Sequence, residues 1–359
     1  MAVNIALQNF YKNKSVLITG HTGFKGGWLA TWLKMMGSQV SGLALPPENG
    51  GASFFTHAHV EKGMNSTLGD IRDFRSVLKA FQQCKPGIVF HNAAQALVLR
   101  SYQEPIGTYA TNVMGTVHVL EAARQTPSVR AVVIVTSDKC YENREWIWGY
   151  REHDPMGGHD PYSSSKGCAE LVAAAYRRSF FQENASPAVA TARAGNVIGG
   201  GDWAKDRLVP DLIRGIMKKS VILIRNPRAL RPWQHVLEPL RGYLMLGQRL
   251  WQREPGFAEA WNFGPHENAI SVEAVARYLI QLWGAGKLKI EKRSSQPHEA
   301  HYLKLDCSKA RDLLGWRSLL MIEDALRLTV EWYRTVANDK KSAAAITHTQ
   351  IQRYMDLPC

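Results

Sequence analysis

Residues 15–26 read SVLITGHTGFKG, and this stretch decides the fold. A short apolar run leads into a Gly-x-x-Gly-x-x-Gly turn made by Gly20, Gly23 and Gly26. An amphipathic stretch follows and ends at Gly37, so the context is strand, turn and helix. In that context glycines let the backbone approach a pyrophosphate, which the N–H groups at the helix start can bind. The stretch predicts a dinucleotide site; the alternative is an ordinary glycine-rich turn.

Apolar and amphipathic segments alternate along the first half of the chain. The predicted strands lie at 15–20, 39–45, 87–91, 131–137 and 187–197. The predicted helices lie near 26–36, 73–83, 105–125 and 161–183. Because strands and helices that alternate form βαβ units, the sequence predicts an α/β protein with a doubly wound, parallel, Rossmann-type sheet.

After residue 195 the strand and helix segments no longer alternate regularly. We predict a dinucleotide-binding domain at 1–195, to which a segment near 235–263 returns. A smaller, discontinuous C-terminal substrate-binding lobe would take the remaining segments, at 196–234 and 264–330. The polar tail at 337–359 carries no assignment.

The pentad Tyr162-Ser163-Ser164-Ser165-Lys166 opens a predicted helix, because Asp160 and Pro161 are typical of an N-cap and a first helical position. Tyr162 and Lys166 therefore share one helical face. A phenol has an ordinary pKa of about 10, and an adjacent ammonium should lower that pKa toward neutrality. The pair predicts a general base that takes a proton from an alcohol. A packed tyrosine beside a solvated lysine is the structural alternative.

Composition restricts the class of protein. No apolar run reaches the roughly 20 residues that span a bilayer, and the N-terminus lacks the pattern of a secretory signal, so no membrane association is expected. The five cysteines are scattered without metal-ligand spacing, which predicts free thiols, a cytoplasmic location and no metal. The formal charge of +13 suggests nucleic-acid binding, but the basic residues are dispersed. A small-molecule substrate with a diphosphate suits that surface better.

Several spaced motifs together carry a resemblance that covers residues 14–316: GHTGFKG, GDIRD, HNAAQ, TSDKCY, YSSSK, RAGNVIGGGDW, RPWQHV, WNFGP and LDCSKA. With them the chain resembles the nucleotide-sugar 4,6-dehydratases of the extended short-chain dehydrogenase/reductase superfamily, and among these the members that act on CDP-glucose. The resemblance implies a lyase that uses NAD to convert CDP-glucose into CDP-4-keto-6-deoxyglucose and water. It also implies a role in the synthesis of dideoxy sugars for bacterial O-antigen.

The resemblance implies catalytic roles around the YSSSK helix and the TSDKCY motif. Tyr162 would be the base, Lys166 its partner and a holder of the nicotinamide ribose, and Ser137 a hydrogen-bond donor to the sugar O4. Asp138 would protonate the departing 6-hydroxyl. Many relatives have a glutamate next, as base for the C5 proton, where this chain has Lys139. A lysine needs a lowered pKa to act as a base, so the C5 base stays open.

The resemblance assigns cofactor contacts to Gly20, His21, Gly23, Phe24, Gly26, Asp70, Ile71, Ala93, Ala94, Gln95, Asn112, Tyr162 and Lys166. Two features depart from the family pattern. His21 stands where many relatives have a small residue. The second strand, which ends near 42–46, lacks the acidic residue expected to bind the adenosine ribose, so the preference for NAD over NADP rests on the resemblance.

The resemblance implies substrate contacts for residues that follow residue 195: Asn196, Arg207, Arg231, Trp233, Gln234, His298, Glu299 and Tyr302. They offer cations for a diphosphate, a stacking surface, and a carboxylate that can accept from a cytosine amine. The alternative interpretation of each of these residues, taken alone, is that it is an ordinary packing or surface residue without a role in binding.

Other functions remain open at this point. The chain could dehydrate GDP-mannose or dTDP-glucose, or could be a sugar-nucleotide 4-epimerase, although Asp138 argues against an epimerase, which expels no water. A non-catalytic relative that binds nucleotide sugars or RNA is a different class, against which the complete set of Ser137, Tyr162 and Lys166 argues. We expect a homodimer or homotetramer, built on the helix near 105–125 and the Tyr162 helix through Val113, Val117, Leu120, Cys168, Leu171 and Val172.

Overall fold

A computed structural model describes residues 2–47, 53–183, 185–224, 226–266, 269–290 and 302–358, with side chains from Ile5 onward. The strands are β1 (Ser15–Thr19), β2 (Gln39–Ala44), β3 (Asn65–Leu68), β4 (Ile88–His91), β5 (Ala131–Val135), β6 (Ala188–Arg193), β7 (Val197–Ile198), β8 (Val221–Ile224), β9 (Leu230–Arg231), β10 (Gln234–His235), β11 (Ala260–Asn262), β12 (Ile270–Ser271) and β13 (Lys287–Ile290).

The helices are α1 (Ala2–Tyr11), α2 (Phe24–Met35), α3 (Phe54–His57), α4 (Phe74–Cys84), α5 (Val98–Gln103), α6 (Pro105–Tyr109), α7 (Gly115–Arg124), α8 (Pro161–Phe180), α9 (Leu208–Met217), α10 (Leu237–Gln252), α11 (Val272–Trp283), α12 (Ile322–Asn338) and α13 (Ala343–Met355). π-turns at Ala110–Met114 and Ala310–Leu314, and 3₁₀ turns at Asp138–Cys140 and Lys340–Ser342, complete the helical segments of the described chain.

Within the described residues, seven strands form one sheet in the order β11-β6-β5-β4-β1-β2-β3, and every neighbouring pair is parallel. The central strands are buried on both faces, as parallel sheets covered by helices require. The α/β class and the parallel sheet predicted from the sequence are confirmed.

Alternation along the strands builds two cores, one on each face of the sheet. In β1, Val16 and Ile18 pack into the core that also contains Trp28 and Trp32 of α2. Leu17 packs into the opposite core. Since successive strand side chains point to opposite faces, the short apolar run of β1 contributes side chains to both cores.

Some elements differ from the sequence-based expectations. The helix predicted near 105–125 is α6 and α7 joined through the π-turn. Leu120, expected outside the core-facing stripe, is fully buried because it packs under the sheet in the second core. The edge strand β3 was not predicted, since its four residues, NSTL, are mostly polar and all exposed.

The C-terminal tail is ordered. α13 packs on α2 and α12, and the Tyr354 hydroxyl donates a buried hydrogen bond of 2.8 Å to Glu238. The segment around α10 returns to the sheet, because β11 pairs with β6. β7 to β10, β12 and β13 form separate two-stranded pairs, and the division into two lobes stays a prediction. In the described part of the chain, no helix is both long and apolar enough to span a membrane.

Candidate active site

The glycine turn between β1 and α2 is too tight for side chains. Gly20 has a φ of +77°, and a Cβ there would lie 2.7 Å from the backbone nitrogen of Ala93. A Cβ on Gly26 would lie 2.2 Å from the carbonyl oxygen of Gly20. Gly23 is the N-cap of α2, and no side chain hydrogen-bonds to that cap. The turn therefore leaves a cradle of backbone at the helix start that can hold an anion.

His21 turns its imidazole away from that cradle. The ring is fully buried, its Nε2 lies 2.7 Å from the hydroxyl of Ser66 on β3, and it contacts the ring of Phe55 edge-on. Gly42 on β2 makes room, since a Cβ there would lie 2.4 Å from the imidazole. Burial lowers the pKa of His21 to about 4. His21 is thus a neutral packing residue beneath the turn.

The segments after β3 and β4 reach the same edge of the sheet. Asp70 forms an ion pair with Arg72 at 2.5 Å, and the next residue, Ile71, is buried. Asn112, inside the π-turn, accepts from the backbone N–H of Gln95 at 2.8 Å and donates to its carbonyl at 3.0 Å. Asn112 also donates to Ser165 of α8 at 2.8 Å. Asn112 therefore ties the segment of Ala93, Ala94 and Gln95 to the helix that carries Tyr162.

The ends of β5 and β6 bring an acid and an amide together. Asp138 is 1% exposed, accepts from the Ser137 hydroxyl at 2.9 Å and from the Asn196 amide at 3.4 Å. Gly195 lies against the carboxylate, because a Cβ there would be 1.8 Å from the Oδ2 of Asp138. Asn196 takes a left-handed φ of 47°. Two adjacent strand ends thus hold one carboxylate from three sides.

Tyr162 and Lys166 are both buried on α8. The expectation that the phenol's pKa falls toward neutrality is not met in this structure. Burial raises the pKa of Tyr162 to about 12, and only the Ser137 hydrogen bond and the Arg207 charge oppose it. The Lys166 ammonium donates to the carbonyl of Val135 at 3.3 Å, and burial lowers its pKa to about 8. Loss of hydration outweighs the attraction expected between the two groups.

A cavity of about 410 Å³ opens at this edge of the sheet, a size suited to a small organic ligand. It is lined by these residues predicted from the sequence: Phe24, Ser137, Asp138, Lys139, Tyr162, Asn196, Arg207, Arg231 and Trp233. The structure therefore brings together most of the catalytic candidates and half of the substrate candidates. The cavity lies between the sheet edge and the segments around α9 and β8.

Three polar groups hold the substrate candidates in position. Arg207, just before α9, pairs with Asp202 at 3.0 Å. Arg231 is buried and donates to the carbonyl of Leu230 at 2.9 Å. The indole N–H of Trp233 donates to the carbonyl of Ile270 at 3.1 Å, and its ring remains half-buried.

Two of the predicted substrate contacts lie elsewhere, and two are outside the described residues. Gln234 is buried, and its amide donates hydrogen bonds to the backbone carbonyls of Gly195 and Phe263. It does not line the cavity. The carbonyl of Tyr302 accepts from the Asn143 side chain at 3.0 Å, away from the cavity lining. His298 and Glu299 fall within 291–301, outside the described residues.

Sequence reasoning missed Lys25 and Asp202, which both line the cavity. Lys25 is the second residue of α2 and is half-buried. Burial first, then the charges of Arg207 and Lys166, lower the pKa of Lys25 to about 7. Its place in the GFKG motif could have identified it, since a lysine at a glycine turn faces whatever the turn binds. In the described chain no cluster of His, Cys, Asp or Glu is arranged to hold a metal ion.

The sequence has clear relatives. A protein-family model described as GDP-mannose 4,6 dehydratase matches residues 17–329. The chain is 52% identical over 332 residues to a CDP-glucose 4,6-dehydratase of Salmonella typhimurium, a match that covers 91% of this chain and 92% of that protein.

Solved structures share the fold. An epimerase from Methanothermobacter thermautotrophicus matches with a TM-score of 0.81 and 22% identity over 96% of this chain and 98% of its own. A dTDP-glucose 4,6-dehydratase from Streptomyces venezuelae, with NAD and TYD bound, matches with a TM-score of 0.76 and 22% identity over 90% and 98%. At these identities the likeness concerns the fold alone. The family model and the 52% identical relative confirm the resemblance read from the motifs, and the chain belongs to the GDP-mannose 4,6-dehydratase family of nucleotide-sugar dehydratases.

Proposed function

We propose that this protein is an NAD-dependent dehydratase that converts CDP-glucose into CDP-4-keto-6-deoxyglucose and water. The observation that carries the proposal is one cavity lined by a serine, an acid and a tyrosine, Ser137, Asp138 and Tyr162. An alcohol oxidation needs the base, and the loss of water needs an acid beside it. The relative that is 52% identical is a CDP-glucose 4,6-dehydratase, which supports the choice of CDP-glucose.

The residues present fit a dinucleotide. The backbone cradle at Gly20 and Gly26 has room for a pyrophosphate and none for a Cβ. Asn92, directly after β4, has buried amide atoms without a hydrogen-bond partner in the described chain, as expected of a group that a ligand completes. When bound, NAD would accept the hydride from C4 of the sugar and give it back to C6. The solved dehydratase from Streptomyces venezuelae holds NAD, which supports the same cofactor here.

The side chains divide the remaining chemistry. Tyr162 would accept the proton of the 4-hydroxyl as a phenolate, which requires its pKa to fall from the value of about 12 that burial gives it; the positive charge of a bound nicotinamide would act in that direction. Ser137 would hydrogen-bond to the same oxygen. The 4-ketone makes the C5 proton acidic, and Lys139 is the candidate base at the cavity wall. Asp138 would give its proton to the 6-hydroxyl, which leaves as water, and the base that took the C5 proton would return it to C5 when the hydride adds to C6. Lys166, beneath Tyr162, would favour the phenolate.

The cations of the cavity suit the diphosphate of a nucleotide sugar. Arg207, Arg231 and Lys25 line it, and Trp233 offers a ring on which a base could stack. Asn196 would hold Asp138 in place through the 3.4 Å contact between their side chains. The location in the cytoplasm and the supply of dideoxy sugars for O-antigen are part of the proposal.

Incubation of the pure protein with CDP-glucose and NAD tests this function. The expected result is the alkali-induced absorbance of a 4-keto-6-deoxy sugar, with dTDP-glucose and GDP-mannose as the comparison substrates. A faster reaction with either of these would replace CDP-glucose as the substrate. A product that is a 4-epimer, with no keto sugar, would overturn the dehydratase.

We propose at least a homodimer. The outer face of α6, the π-turn and α8 carries apolar side chains that are 84%, 47% and 59% exposed, at Ile106, Met114 and Leu171. A two-fold axis pairs such a face with its own copy. Light scattering at micromolar concentration should give a mass of two chains or four, and the mass of one chain would count against the proposal.

A further inference from the structure

The helix α8 carries a third buried ionisable side chain in line with Tyr162 and Lys166. Glu170 follows Lys166 by four residues, as Lys166 follows Tyr162. Residues four apart lie one above the other on a helix. The three side chains are 8%, 6% and 3% exposed. A phenol, an ammonium and a carboxylate thus form one buried stripe that runs from the cavity into the protein.

Three donors hold the Glu170 carboxylate. Its Oε1 accepts from the Thr136 hydroxyl at 2.5 Å, and its Oε2 accepts from the Thr191 hydroxyl at 2.6 Å. The Arg193 guanidinium donates to Oε2 at 2.8 Å. Burial acts to raise the pKa of Glu170, but Arg193 and the two threonines hold that pKa below its ordinary value. The carboxylate is therefore ionised at neutral pH.

These donors connect Glu170 to both strand ends of the site. Thr136 immediately precedes Ser137 after β5, and Arg193 is the last residue of β6, shortly before Gly195 and Asn196. Arg193 also donates to the Tyr141 hydroxyl at 2.7 Å. One carboxylate therefore joins the ends of β5 and β6 to α8, the elements that carry the acid, the amide and the base.

We propose that Glu170 is a positioning residue, which fixes the ends of β5 and β6 against α8 and supplies the negative charge that keeps Lys166 protonated beside Tyr162. The inference rests on the proposed function for its effect on turnover. Glu170 does not line the cavity, so it acts through Lys166.

The surroundings of Lys166 support the electrostatic part. Burial lowers the pKa of Lys166 to about 8, while Glu170, and after it Cys140, act to raise it. Burial is the main cause that lowers the pKa of His91 on β4, and the charge of Lys166 adds to it. For Lys25 on α2, burial and then Arg207 lower the pKa, and Lys166 adds to them. Glu170 is thus the strongest charge that favours the ammonium, and it acts without a direct ion pair between them in the described chain.

The charge of Glu170 should govern the pH profile of turnover. In Glu170→Gln, Lys166 loses its counter-charge and gives up its proton at lower pH. The pH profile of kcat should therefore move about one unit or more toward acid, with a lower maximum and an unchanged KM for CDP-glucose. Glu152→Gln is the matched control, because Glu152 is a buried carboxylate near Arg193 that is not among the charges on Lys166. If the pH profile of kcat were the same in Glu170→Gln as in the wild type, the charge of Glu170 would have no part in turnover and the proposal would be wrong.

A double-mutant cycle tests the same coupling without turnover. The free energy of unfolding is measured for the wild type, Glu170→Gln, Lys166→Met and the double variant at pH 6.5 and pH 9.5. We expect a favourable coupling at pH 6.5 that is largely lost at pH 9.5, because the ammonium loses its proton near pH 8. A coupling that is absent, or equal at both pH values, overturns the proposal.

A second pair of variants covers the case in which Glu170→Gln does not fold. Removing one partner of a buried ion pair leaves an unpaired charge, whereas removing both is often tolerated. The effect of Lys166→Met is then compared between the wild type and Glu170→Gln/Arg193→Gln, with the same expectation and the same contrary outcome. If the wild type lacks dehydratase activity, the proposed function fails while this cycle still decides the coupling.

Discussion

The carboxylate of Asp138 fills the space that a side chain on Gly195 would need. A Cβ on Gly195 would lie 1.8 Å from Oδ2 and 2.1 Å from Cγ of Asp138. The end of β6 must therefore carry a glycine for the acid at the end of β5 to keep its position. This contact shows how the ends of two strands, distant in sequence, together fix the position of the proposed acid.

Gly195→Ala should displace Asp138. We expect the free energy of unfolding to fall by about 1–3 kcal/mol, as in overpacked cores, and kcat to fall with it. Gly107→Ala on α6 is the control, because a Cβ there meets nothing closer than 3.9 Å. Unfolding by urea and steady-state kinetics make the comparison. Normal turnover in Gly195→Ala would mean that the position of Asp138 is not critical.

Asp138→Asn should separate oxidation from loss of water. Asparagine keeps the size of the side chain and one of the two acceptor oxygens that Ser137 and Asn196 contact, but it cannot donate the acid's proton. Hydride abstraction should continue and elimination should stop, so absorbance of NADH should build up on the enzyme. Dehydration at the normal rate would assign the acid to another group.

Tyr162→Phe should lower kcat a hundredfold or more, the scale of a lost general base. The phenol is buried in the cavity wall beside Ser137, so the substitution removes one oxygen and little packing. Circular dichroism should confirm an intact fold. Turnover close to that of the wild type would take Tyr162 out of the mechanism.

Lys25 should make diphosphate binding depend on pH. The pKa of Lys25 is about 7 in this structure, and a bound diphosphate favours the ammonium, so binding above that pH requires uptake of a proton. The dissociation constant of CDP should rise up to about tenfold per pH unit above pH 7. In Lys25→Met, binding should be weaker at pH 6.5 and less dependent on pH. Titration calorimetry would contradict this if both proteins gave the same pH dependence.

His21→Gly should lower stability and leave cofactor binding almost unchanged. The imidazole points away from the glycine cradle and packs against Ser66 and Phe55, so its loss does not alter the backbone that would hold the pyrophosphate. Because the end of β2 lacks the carboxylate expected for the adenosine ribose, we expect the wild type to bind NAD weakly and to purify partly empty. Loss of the buried ring should cost the fold about 2 kcal/mol or more. Stoichiometric NAD that survives dialysis of the wild type would contradict this.

The sequence predicted the parts of the fold whose residues are buried. β1 and β5 are apolar runs that both cores need, so pattern and structure agree. β3 is polar and exposed, and only its neighbour β2 makes it a strand. The tail helix α13 depends on distant partners such as Glu238, which no local pattern reveals.

The site was predictable where motifs carry the chemistry. Ser137, Asp138 and Tyr162 do line one cavity. Gln234 was misplaced because a motif gives the position of a residue and not the direction of its side chain. The stripe of Tyr162, Lys166 and Glu170 is visible in the spacing, but its role depends on hydrogen bonds from Thr136, just after β5, and Thr191 in β6.

The fate of the hydrogen on C4 tests the central claim most directly. The protein is incubated with NAD and CDP-glucose that carries deuterium at C4, and the product is examined by mass spectrometry and NMR. Internal dehydration predicts a 4-keto-6-deoxy product with the deuterium at C6. A product without deuterium at C6, or a sugar that keeps its 6-hydroxyl, would contradict the account.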